Sequence, residues 1–76
     1  MNQPVKIELT AAEALIAFEA LAKLDEKRIH ERELDSSERM ALWAIQSVLE
    51  KNVPVFAPNY AQLVQSAKRE LNPENL

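Results

Sequence analysis

At Thr10 the sequence changes its period, and that change sets the kind of fold the chain can form. Before it, Val5, Ile7 and Leu9 alternate with Lys6 and Glu8, the spacing of a short strand with one apolar face. After it, apolar residues recur at helical spacing. Thr10 and Glu13 enclose T-A-A-E, a capping box in which each side chain satisfies the other residue's otherwise unpaired amide. A helix is therefore predicted from Ala11 to about Glu26. At about 100° per residue, Ala11, Ala14, Leu15, Phe18, Leu21 and Ala22 share one broad face, with Glu13, Glu19, Lys23 and Lys27 opposite. Ile16, Ala20 and Leu24 form a narrower stripe beside the charged face. Such a stripe can contact another subunit, although scattered surface apolar residues are also ordinary.

A lone strand is not stable. Residues 1–9 are therefore expected as a short extended arm, paired with the connector Val53–Ala57 or with the same segment of a second subunit. Pro54 and Pro58 would hold that connector at an edge, since neither donates to a ladder.

The stretch from Ser36 to Tyr60 holds the only Trp and the only Tyr of the chain. Asp35 with Glu38, or Ser36 or Ser37 alone, can cap a second helix over residues 37–51. Asn52 tolerates a left-handed backbone, and Pro54 forces Val53 into an extended conformation, so the helix should stop near Lys51. Ala41, Leu42, Ile45, Val48 and Leu49 fall on its apolar side. Trp43 falls among Arg39, Gln46, Ser47 and Glu50. Either the connector folds over the indole, or Trp43 is an exposed anchor for another chain.

A third helix is predicted over residues 59–71, with Asn59 and Gln62 as its box and Tyr60, Leu63, Val64, Ala67 and Leu71 as a narrow apolar stripe. Lys68 and Arg69 suit its C-terminal dipole. Asn72-Pro73 ends it, leaving 72–76 as a loose tail. The run from Asp25 to Leu34 is rich in helix formers but poor in apolar periodicity, so fraying into a charged loop that carries a turn is expected there. Together these elements predict an all-α, small three-helix domain spanning 1–76 with a short extended N-terminal arm. Leu15, Phe18, Ile45, Leu49, Leu63 and Val64 should form its core.

Size and composition narrow the function. A 76-residue domain buries only about 60–65% of its unfolded surface, and with no cysteine no disulfide can reinforce so thin a core. Self-association is a natural route to further burial. The chain has no glycine, so neither a phosphate-cradling loop nor a dinucleotide fingerprint can be written in it. Nothing resembles a signal peptide or an apolar run long enough to span a membrane, which together with the missing cysteine points to the cytoplasm.

Chemistry is scarce. Ser36, Ser37, Ser47 and Ser66 lie at caps or within helical pattern without a nearby base, and His30 is the only histidine. No enzyme is expected on that basis. Glu26, Glu31 and Glu33 surround His30 in sequence, but one histidine with exposed carboxylates does not make a closed zinc site, and a solvated His on a charged loop is the expectation. No metal or cofactor is predicted. Nucleic-acid binding is the alternative: Gln62, Gln65 and Arg69 on the third helix could read base edges as the second member of a helix-turn-helix. Against it stands a net charge of -3 with no basic cluster.

Three patterns stand along the chain: E-L-T-x-x-E-A-L-x-x-F-E-x-L from Glu8 to Leu21, A-L-W-x-I-x-x-x-L-E-K from Ala41 to Lys51, and F-x-P-x-Y-x-x-L from Phe56 to Leu63. In these the chain resembles a family of short, uncharacterised bacterial proteins, cyanobacterial ones among them, over about Ile7 to Ala67. The resemblance implies a bacterial or phage setting and no particular activity.

The residues thus point to a non-catalytic protein-interaction module or regulatory subunit, a homodimer or the partner of another protein. Trp43, Phe56 and Tyr60 are predicted to form one aromatic cluster, with the connector bent back along the Trp43 side of the second helix and Arg39 and Glu50 as its polar rim. If that cluster is sealed, Ile16, Ala20 and Leu24 become the candidate surface.

Overall fold

The computed structural model describes residues 1–75, and its regular structure is entirely helical among them. Four α-helices occur where three were expected: α1, Ala11–Glu26; α2, Ile29–Glu33; α3, Ser36–Asn52; and α4, Tyr60–Leu71. A 3-10 turn, Pro73–Asn75, stands in the segment expected as a loose tail, whose last residue, Leu76, lies outside the described residues.

Both capping boxes form. The Thr10 amide donates to Glu13 Oε1 at 2.9 Å while the Glu13 amide donates to Thr10 Oγ1 at 3.1 Å. At α3 the cap is Asp35, whose amide donates to Glu38 Oε1 at 2.9 Å and whose Oδ1 accepts from the Glu38 amide at 2.8 Å. Each box fixes its helix start with groups only three residues apart, which is why these boundaries depend on little else.

The additional helix replaces the expected charged loop. Lys27 closes α1, and Arg28 then adopts φ 59°, ψ 27°, the left-handed conformation usually left to glycine. This costs a non-glycine residue about 1–2 kcal/mol. Part of that cost is offset by the 2.7 Å ion pair between Arg28 and Glu31, an exposed contact worth about 1 kcal/mol at most. The kink starts a short helix that packs against α1 and turns His30 inward. His30 is therefore buried, at 2% exposure, and not the solvated residue the charge run suggested.

Helix α1 is the element on which α2, α3 and α4 all pack. Ala12 and Leu15 of α1, Val64 and Ala67 of α4, and Val53 form the core, with Ile16, Phe18, Val55, Tyr60 and Leu63 packed against it. Small residues at Ala12 and Ala67 allow close approach of the two backbones. Leu15 and Val64 are core as predicted, and Phe18 and Leu63 pack at its edge. Leu49 is also buried. Ile45 is not: it is 49% exposed.

The reason lies in the rotation of α3. Its inward positions are Arg39, Leu42, Gln46 and Leu49, continuing to Val53 beyond its end. On the helical wheel their mean direction is displaced by roughly 80° from that of Ala41, Leu42, Ile45, Val48 and Leu49. Pro54 holds Val53 extended, and Val53 docks into the α1–α4 core. Burial of Val53 selects the face of α3 on its own spoke, and the most apolar face is left turned away.

Two further expectations fail locally. Asn52 is not left-handed; it remains helical, and its side-chain amide donates to the Val48 carbonyl at 2.7 Å. Asn59 does precede α4, but at φ -101°, ψ 27° it makes no side-chain cap bond, because capping geometry needs an extended backbone there. The chain reaches α4 instead through successive turns, with the Ala57 amide bonding Pro54 O and the Tyr60 amide bonding Ala57 O.

Candidate interaction surface

The rotation of α3 leaves a continuous apolar strip on the outside of the molecule. Ala41, Ala44, Ile45 and Val48 lie within about 100° of arc on this helix, and all four are exposed, Val48 at 60%. Met40, also exposed, borders them. The N-terminal segment runs alongside: Val5, Ile7 and Leu9 line a shallow groove together with Ala44, Ile45 and Val48. No strand forms among the described residues, so the period-two alternation serves this groove and not a sheet. Its apolar residues are themselves exposed.

The predicted aromatic cluster does not assemble. Val53 and Val55 of the connector turn toward the core, while the turn from Pro54 to Ala57 carries Phe56 outward, where it is 94% exposed and covers nothing. Trp43 is 47% exposed on a different side of α3 from the apolar strip. Its expected rim is split, with Glu50 exposed and Arg39 partly buried, donating to Ser36 Oγ at 3.3 Å. Tyr60 reaches α1 instead of Trp43, and its hydroxyl donates to Glu19 Oε2 at 2.6 Å. Partial burial, then the hydrogen bond and charge of Glu19, push its phenol up to about 12. Glu19 is thus half inside, not on the outer charged face that the wheel suggested.

The second candidate stripe is also divided. Ile16 packs at the core edge, whereas Ala20 and Leu24 remain exposed. Gln62, Gln65, Lys68 and Arg69 are all exposed on α4. Helix α4 packs most extensively on α1, whereas in a helix-turn-helix the recognition helix packs against the helix before it.

Among the described residues, His30 is the one buried ionisable side chain. Neither ring nitrogen has a protein hydrogen-bond partner, and Asp25 Oδ1 lies 3.9 Å from Nδ1, too far for a hydrogen bond. Among the described residues no three His, Asp or Glu side chains converge as a metal ion would require, and no helix is long and apolar enough to cross a membrane.

The outward placement of the α3 strip is not legible in the sequence, because the same amphipathic pattern reads as core when no tertiary contacts are known. No protein-family model, curated protein or solved structure matches the chain.

Proposed function

We propose that the protein is a small non-catalytic protein-interaction module whose working surface is the outward face of α3 together with the N-terminal segment. One observation carries this: Ile45, Val48 and the flanking Val5 and Ile7 form an exposed apolar surface larger than a scatter of single residues, while the interior is left with few large side chains. Contiguous exposed apolar surface is the physical mark of an interface. Trp43 and Phe56 are additional exposed anchors beyond it, of a residue class that contributes heavily to binding. We place the protein in a bacterial cytoplasm on its motif resemblance and its lack of cysteine.

The test uses paired affinity capture from a bacterial lysate with wild-type and Ile45→Glu baits, after circular dichroism has confirmed equal helicity. Proteins retained by the wild type should be lost by the variant. An unchanged retained set would overturn the proposal. So would a mobility shift of mixed-sequence DNA at low salt that weakens steeply as salt rises, which would move the function to the exposed side chains of α4.

A further inference from the structure

The chain exposes 6419 Å². A closed monomer of its mass, 8.6 kDa, exposes about 4,700 Å² by the scaling of compact proteins. The excess, about 1,700 Å², is roughly twice what each partner contributes to a standard interface. The radius of gyration agrees, at 13.8 Å against about 11.4 Å for a compact chain of this length. By itself the chain is therefore more open than a finished globule. The unclosed surface includes the outward face of α3 and residues 1–9.

That face has a pattern suited to its own copy. Its positions fall in three pairs about the midpoint between Ala44 and Ile45: Ala44 with Ile45, Ala41 with Val48, and Ser37 with Asn52. Reversing the helix about this midpoint sets small against larger side chains at both flanking levels, as close packing of facing helices requires. The six side chains of this set are uncharged, and Glu38 and Lys51, which border it on either side, are exchanged by the same reversal.

We infer that the occupant of the α3 face is a second copy of this chain, its α3 lying antiparallel across a two-fold axis that passes between Ala44 and Ile45. Ala41 then faces the second copy's Val48, and Ala44 and Ile45 lie beside their own counterparts. The N-terminal segments, through Val5 and Ile7, cover the flanks of the seam. This inference rests on the interaction surface proposed above and specifies its partner.

Because the chain has no cysteine, single substitutions report the geometry without background. Sedimentation equilibrium of the wild type should give about twice 8.6 kDa, falling toward the monomer on dilution, and Ile45→Glu should abolish the dimer. Under mild oxidation Ala44→Cys should cross-link to itself. Ala41→Cys should not, because its copy is displaced by about 10 Å along the axis, beyond disulfide reach. Mixing Ala41→Cys with Val48→Cys should restore the bond. A wild type that stays monomeric throughout the dilution series overturns the second copy, while Ile45-dependent capture of a different protein would leave the interaction surface standing. A dimer that survives Ile45→Glu puts the interface elsewhere. Self-cross-linking of both single variants means a parallel pair and overturns the antiparallel arrangement. The cross-linking results hold even if Ile45→Glu fails to fold.

Discussion

Replacing Tyr60 with Phe removes one hydroxyl and tests how α4 is tied to α1. The lost bond runs from the Tyr60 hydroxyl to Glu19 Oε2 at 2.6 Å. Tyr60 is raised from 10.0 to about 12, and two pKa units correspond to about 2.7 kcal/mol as an upper limit. Solvent reaches the partly buried ring and screens the interaction, which lowers the expected value to about 1–2 kcal/mol. With an unfolding entropy of about 160 cal/mol/K for a chain of this length, a loss of 1.5 kcal/mol lowers Tm by roughly 9 °C. The pH dependence has a definite sign. The folded state holds the phenolic proton more tightly than the unfolded chain, so the contribution is complete below pH 10 and is lost as pH rises from 10 to about 12. Urea denaturation of wild type and Tyr60→Phe, followed by circular dichroism at pH 7 and at steps from pH 9 upward, measures both effects. Lysine deprotonation affects the two proteins alike and cancels in the difference. Equal stability at pH 7, or a difference that stays constant across the alkaline range, would refute the reasoning.

Leu49→Ala removes a side chain that is only 7% exposed, and should cost about 2–5 kcal/mol against a total stability of about 4–11 kcal/mol for 76 residues. A denaturation midpoint within error of wild type would mean that this side chain is not buried in solution. Asp35→Ala removes the side-chain half of the α3 capping box and should cost about 1 kcal/mol in the same assay. No loss would show Ser36 or Ser37 taking over the cap.

Local chemistry fixed the starts of α1 and α3 before any tertiary contact was known. Thr10 with Glu13 and Asp35 with Glu38 need only a three-residue separation to satisfy each other, and Pro54 and Pro73 limit the helices by their missing amide and fixed φ. The all-α class followed from those signals and from the 3.6-residue periodicity. What the sequence could not determine was which way α3 turns and that residues 29–33 fold inward. The apolar stripe of α3 reads as core by pattern, yet Val53 at its end is drawn into the α1–α4 core and rotates Leu42 and Leu49 inward, leaving Ile45 and Val48 outside. The burial of His30 was equally hidden, because it follows from the left-handed turn at Arg28, a conformation that nothing in the charge pattern of residues 25–34 announces. Amphipathicity shows that a helix has an apolar face; only the competition among tertiary contacts decides whether that face meets its own chain or another.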